Sequence, residues 1–165
     1  MRWVRAEGLH VTLKFLGDVP AAKVGEIAAV AAEVVRGVAP FALRVRGVGG
    51  FPSLSRPRAL WVGSDAAELG AIAAALDGAL ATLGFAAAAK PLRAHVTLGR
   101  VRSQRGWPEL RSALAPLVES GFGAARVERV VLYRSHLQPG GSVYEVLASM
   151  PLAGGRSKEG ELDGH

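Results

Sequence analysis

This sequence predicts an α+β fold built from two similar halves, and two observations carry the prediction. The tetrapeptide His-Val-Thr-Leu occurs at residues 10–13 and again at 95–98, 85 positions apart. The order motif strand, helix, strand, loop, strand describes residues 9–63 and then describes residues 94–148. Segments alternating at period two are interleaved with apolar stripes at helical period, the pattern of antiparallel sheet with outer helices. The equal spacing suggests two pseudo-symmetric lobes whose motif strands face each other across a central cleft. A single domain over residues 1–152 is expected, with a Gly-rich, charged and flexible tail at 153–165.

The elements follow in order. Met1–Arg5 leads into the first motif strand, Leu9-His10-Val11-Thr12-Leu13-Lys14-Phe15-Leu16-Gly17, where apolar and polar residues alternate. Val24, Ile27, Ala31, Val34 and Val35 fall on one face of a helix over 21–37, which Pro40 ends. Residues 41–48 alternate as a strand, 49–57 form a loop, and 59–63 form the next strand. Ser64 and Asp65 can cap a helix over 66–83, with Leu69, Ile72, Ala73, Leu76 and Leu80 as its stripe and Gly84 as its stop. A short strand is expected at 85–90, and the second motif strand ends near Arg102. Trp107-Pro108-Glu109 opens a third helix that Pro116 makes irregular at its carboxyl end. Strands at 127–133 and 143–147 close the fold, joined by a loop through Pro139-Gly140-Gly141.

Composition bounds the function. The 165 residues are half apolar, contain no cysteine and carry a formal net charge of +6. No run reaches the length of a membrane span and the amino terminus has no signal-peptide pattern, so a cytoplasmic protein is expected. Arg outnumbers Lys 16 to 4, which suits a phosphate-bearing partner but also follows from the Ala- and Gly-rich composition.

The repeated tetrapeptide carries the chemistry. The chain has four His and three Thr. Random placement gives roughly 0.07 His-x-Thr, against the two present, so chance repetition is set aside. Alternation puts His10 and Thr12 on one face of the first strand, and His95 and Thr97 on one face of the second. An imidazole with an ordinary pKa of about 6.5 serves as base or acid near neutrality. Two of them can deprotonate an attacking group and protonate a leaving group in one step. The hydroxyls can donate to the oxygens of an anion held between them, and a phosphodiester fits that arrangement. Two His as metal ligands is the competing reading, but zinc wants three or four ligands and neither motif supplies a further one. No metal or cofactor is expected. Arg100 joins the phosphate-binding set only if the strand bulges near Gly99, because strict alternation points it away from His95. Phe15 and Phe51 are candidates to stack on a base, with a place in the core as the alternative. His136 reads as an exposed loop residue.

These residues resemble a family. The paired His-x-Thr motifs are similar to those of the 2H phosphoesterase superfamily, and their context resembles the RNA 2′,3′-cyclic phosphodiesterases, also called 2′-5′ RNA ligases. The resemblance is carried by Trp3 through Gly17, by Gly50-Phe51-Pro52 with Arg56 through Gly63, and by His95 through Arg100. It continues in Tyr133-Arg134-Ser135-His136-Leu137 with Gly141 through Tyr144. Ala94 departs from it, standing where the family usually has Pro. The resemblance implies a bilobal fold with both His in a cleft. It implies hydrolysis of RNA 2′,3′-cyclic phosphate ends to 2′-phosphomonoesters, with reversible 2′-5′ ligation. His10 would be the acid toward the leaving 3′ oxygen and His95 the base activating water. The implied partner is RNA or an oligonucleotide with a cyclic phosphate end, met by a monomer away from membranes. The rivals are a non-catalytic module that binds RNA phosphate ends, and an enzyme acting on small cyclic nucleotides or an ADP-ribose cyclic phosphate.

The second motif has a strand, a helix and a short strand before it, whereas only nine residues precede His10. The first lobe is therefore expected to lack an amino-terminal strand and helix, with the chain starting roughly thirty residues late by comparison of the two halves.

Overall fold

The computed structural model describes residues 1–153, which divide into two compact units. The first comprises Met1–Phe15, Ala42–Ala74 and Ala88–Ala125; the second comprises Leu16–Phe41, Ala75–Ala87 and the chain from Arg126. The architecture is α+β, as expected. The division does not follow the two sequence halves, however, because both His-Val-Thr-Leu copies belong to the first unit.

The first unit is built on a five-stranded sheet. Its strands are β1 (Arg2–Trp3), β2 (Phe41–Phe51), β3 (Ala59–Asp65), β4 (His95–Arg100) and β5 (Gly121–Val127), in the order β1-β4-β3-β2-β5. β2 runs three residues further than its alternation indicates, since Gly49, Gly50 and Phe51 continue the ladder opposite Trp61, Leu60 and Ala59. β3 likewise takes in Ser64 and Asp65, which are strand residues rather than helix caps. β4 ends at Arg100 rather than Arg102, where Val101 N–H turns to donate to Arg58 O at 2.8 Å. β5 was not expected. Its Gly-Phe-Gly-Ala-Ala run has low strand propensity and lies almost wholly exposed at the sheet edge, so no apolar alternation betrays it.

One face of this sheet carries the core. Val48 and Leu60 are buried with Trp107, and Leu54, Val62, Leu98, Val101 and Leu110 pack around them. Trp107 opens α3 (Trp107–Leu114) with Pro108 in its first turn, and its indole N–H donates to Leu54 O at 3.0 Å. A 3₁₀ turn at Ala115–Leu117 makes the irregular end that Pro116 predicts.

The first motif departs most from expectation, because it is not a strand. The chain leaves β4 after Val4 N–H donates to Leu98 O, makes a 3₁₀ turn at Ala6–Gly8, and rejoins β4 through one isolated bridge, Val11 to Val96. A strand is defined by its partners, and alternation alone does not supply them.

In the second unit, β6 (Arg129–Gln138) and β7 (Gly141–Pro151) form a two-stranded sheet around the tight turn Pro139-Gly140, both longer than expected. α1 (Val24–Val35) follows a 3₁₀ turn at Ala21–Lys23 and is shorter than the 21–37 expected. It buries Ile27, Ala31 and Val35, spaced four apart, and packs on β7. Glu128 interrupts the run read as starting at Val127; its carbonyl accepts from Leu152 N–H at 2.8 Å. His136 is a strand residue, not a loop residue, and its Nε2 lies 2.7 Å from Glu145 Oε2. That hydrogen bond, helped by Arg134 and opposed by desolvation, holds the Glu145 carboxyl below the usual carboxylate range.

α2 (Ala67–Ala81), two residues shorter at its carboxyl end than expected, has residues in both units and buries Leu69, Ile72, Ala73, Leu76 and Leu80. The strand expected at 85–90 is absent. Gly84 takes φ +89° and Phe85 N–H donates back to Leu80 O, so the chain closes the helix end and does not extend into a ladder. Apart from Ala153, the tail expected at 153–165 lies outside the described residues.

Candidate active site

Register fixes where the two motifs meet. Val11 and Val96 occupy the same position in their tetrapeptides, and they bridge antiparallel. The antiparallel sense of the bridge turns His10 toward the Thr97 end of β4 and Thr12 toward the His95 end. A local two-fold relation therefore links the motifs. Val96 pairs with Val62, which packs on the core, so Val96 takes the core face and His95 and Thr97 take the other.

The two imidazoles are held alike. His10 Nδ1 lies 2.7 Å from Gly8 O, and His95 Nδ1 lies 2.7 Å from Arg93 O. A carbonyl oxygen only accepts, so Nδ1–H donates in both rings, and Nε2 becomes the nitrogen that exchanges a proton. Both rings are partly buried, as is Thr97, while Thr12 is exposed.

Arg100 meets the condition set for it. On β4 the partners of Leu60 and Trp61 are Gly99 and Thr97, so Leu98 is an extra residue in the ladder. This bulge restores Arg100 to the face of Thr97 and His95, where it stands opposite Ala59. Strand spacing puts its backbone about 7 Å beyond Thr97.

Aromatic rings wall the His95 side. Phe51 meets His95 edge-on with centroids 4.9 Å apart, and Trp61 lies 5.4 Å from Phe51 and 6.1 Å from His95. A Cβ on Gly49 would come within 2.1 Å of the Trp61 ring, so the indole lies flat against bare backbone. A pocket of about 220 Å³ is lined by Phe51, Trp61, Arg93, Ala94 and His95. Phe51 lines this pocket, whereas Phe15 is 85% exposed and lies neither in that lining nor in the core. Trp61 and Arg93 were not singled out from the sequence. Trp61 had a signal, since the glycine at 49 is the residue that leaves room for a large ring.

Two His-x-Thr motifs brought together through their valines, each imidazole locked through Nδ1 on a carbonyl two residues back, define the two-histidine phosphoesterase class. The chain belongs to the LigT like phosphoesterase family, which it matches over residues 1–61 and 62–144. It is 35% identical over 148 residues to the RNA 2′,3′-cyclic phosphodiesterase of Methanothermobacter thermautotrophicus, a match covering 87% of this chain and 78% of that protein. The enzyme of the same name from Aeropyrum pernix is 33% identical over 159 residues, covering 93% and 87%. Among solved structures, the Thermus thermophilus protein TT0787 is similar with a TM-score of 0.76 at 31% identity, covering 92% of this chain and 81% of that one. Escherichia coli LigT complexed with 3′-AMP is similar with a TM-score of 0.71 at 27% identity, covering 92% and 80%.

Proposed function

We propose that this protein hydrolyses the 2′,3′-cyclic phosphate at the end of an RNA to a 2′-phosphomonoester. The reading is carried by one observation: two His-x-Thr motifs meet at the Val11–Val96 bridge, each with its imidazole Nδ1 anchored on a carbonyl two residues earlier. The names of the relatives support the substrate. In the reaction, neutral His95 takes a proton from water through Nε2 as the water oxygen bonds to phosphorus. The bond from phosphorus to the 3′ oxygen breaks in line with that attack. Protonated His10 delivers its Nε2 proton to the departing 3′ oxygen, leaving a 2′-phosphate and a 3′-hydroxyl. Thr12 and Thr97 donate to the two non-bridging oxygens, and Arg100 offsets their charge. With the 5′-hydroxyl of a second ribonucleotide attacking in place of water, the same step joins that oxygen to phosphorus as the 3′ oxygen leaves, so the same groups suit 2′-5′ ligation.

The test is turnover of an oligonucleotide ending in a 2′,3′-cyclic phosphate, followed by mapping of the product phosphate. Conversion to the 2′-phosphate is expected, in EDTA as without it. The rate should be bell-shaped in pH, because one imidazole must be neutral and the other charged. Tight binding without turnover supports a binding module instead. Loss of activity in EDTA, restored by a divalent ion, supports the metal reading. Preference for mononucleotide cyclic phosphates moves the substrate to small molecules.

A further inference from the structure

Beside His95 the first unit keeps a pocket that an attacking water does not need. It holds about 220 Å³ and is lined by Phe51, Trp61, Arg93, Ala94 and His95, with His10 outside the lining. Register sets its rings on the reacting face. Trp61 stands directly opposite Thr97, and residues opposite each other in an antiparallel pair share a face. Phe51 stands opposite Ala59, two residues from Trp61, and so joins that face. The Arg93 carbonyl anchors His95 Nδ1, while the residue is exposed and its guanidinium has no hydrogen bond or ion pair among the described residues. Two aromatic rings and a guanidinium plane are the groups on which a nucleobase stacks. The volume falls below the roughly 300–1,000 Å³ of sites that enclose a whole drug-sized ligand, which limits the pocket to one base.

The position of the pocket says whose base it takes. In-line displacement sets the attacking and departing oxygens on opposite sides of phosphorus. The departing 3′ oxygen belongs to the RNA end that carries the cyclic phosphate, and it leaves toward His10. The attacking oxygen comes from the His95 side, where the pocket lies. We infer that the Phe51–Trp61–Arg93 pocket seats the base of an attacking strand, the ribonucleotide whose 5′-hydroxyl replaces water in 2′-5′ joining. The inference rests on the proposed function and its choice of His95 as base. In the step, His95 Nε2 takes the 5′-hydroxyl proton as that oxygen bonds to phosphorus. The bond to the 3′ oxygen breaks and His10 protonates it, leaving a 2′-5′ phosphodiester and a 3′-hydroxyl with no further reactant. With the pocket empty, water takes the same place and the product is the 2′-phosphate. Phe51, Trp61 and Arg93 are then specificity residues that set the partition between joining and hydrolysis.

One RNA ending in a 2′,3′-cyclic phosphate decides it, incubated with a 5′-hydroxyl oligoribonucleotide or with the same acceptor lacking its first base. The measurement is the ratio of 2′-5′ joined product to 2′-phosphate, against acceptor concentration, in the wild type, Phe51→Leu and Arg93→Ala. Phe51→Leu should lower the ratio about tenfold, through the KM for the acceptor, within the range for losing one base–aromatic stack. Arg93→Ala should lower it about threefold. In the wild type the abasic acceptor should join as poorly as the intact acceptor does in Phe51→Leu, and Phe51→Leu should cost the abasic acceptor nothing more. Equal joining of the two acceptors by the wild type overturns the inference, as does equal loss of joining and hydrolysis in Phe51→Leu. So does hydrolysis without any joining at millimolar acceptor. If removing the terminal base of the cyclic-phosphate strand, and not that of the acceptor, abolishes the Phe51→Leu effect, the pocket holds the departing strand and the inference falls. A protein that forms neither product counts against the proposed function. The pocket is then tested by binding: a 5′-hydroxyl dinucleotide should quench tryptophan fluorescence, and quenching that Phe51→Leu leaves unchanged overturns the inference.

Discussion

Residues 10–13 and 95–98 have identical sequences and different structures. The second copy is strand, paired with β3, bulged at Leu98, and walled by Phe51 and Trp61. The first is irregular backbone touching β4 at Val11 alone, with Thr12 exposed. What survives the difference is the anchoring of each imidazole on the carbonyl two residues back, and the pairing of the valines. Anchoring of the imidazole is therefore common to both copies while backbone support is not. The copies should be equal in chemistry and unequal in tolerance to change.

The largest expected effect tests the equality. His10→Ala and His95→Ala should each lower kcat by at least about 10²-fold, as for loss of an acid or base. A variant that keeps its activity removes its histidine from the mechanism. The inequality shows in stability: His95→Ala gives up edge-on contact with Phe51 and should cost up to about 1 kcal/mol in denaturant unfolding, with His10→Ala costing less. The next effect concerns the hydroxyls. Thr12→Val and Thr97→Val should each slow kcat by about 10- to 100-fold, at or below the scale for losing one donor to a charged oxygen. If only Thr97→Val is slow, the irregular copy contributes a histidine and nothing more.

A third variant sharpens the contrast in support. Gly49→Ala drives a methyl into the Trp61 ring and should destabilise by about 1–3 kcal/mol as the aromatic wall shifts. Activity should fall through the His95 side, with the Gly8–His10 contact untouched. Wild-type stability in this variant would mean that Trp61 moves without consequence. The smallest effect lies outside the site. His136→Ala removes the main cause holding the Glu145 carboxyl low, so NMR titration should show its pKa rise toward the ordinary range. A depressed carboxyl stabilises the fold above its unfolded pKa and loses that contribution as pH falls through its folded pKa. On an exposed pair the stability change should be slight, and activity should not change.

Much of this was legible in the sequence, and the misses share a cause. The stripe of α1 and the pairing of His with Thr follow from periodicity, which depends on the residues themselves. The failed strand at 9–17, the absent strand at 85–90 and the unforeseen β5 depend on partners. Val11 has one bridge, Phe85 turns back on α2, and the exposed glycines and alanines of 121–127 gain order only from β2. Arg100 lay between these cases. Alternation pointed it the wrong way, and a single extra residue at Leu98 corrected it.

The valine bridge has a consequence for the direction of the reaction. A site with a local dyad offers a phosphorus atom two equivalent seats, in which the histidines exchange the parts of acid and base. On the proposed reading, the reverse reaction exchanges the parts of acid and base within one seat, and the near-identity of the two imidazole settings means that either can take either part. What breaks the degeneracy is the aromatic wall of Phe51 and Trp61 together with Arg100, all on the β4 side of the dyad. On that reading the choice of seat falls to these residues and not to either histidine. Redesigning those two rings, with the imidazoles left alone, is the way to turn a nucleotide around in this fold.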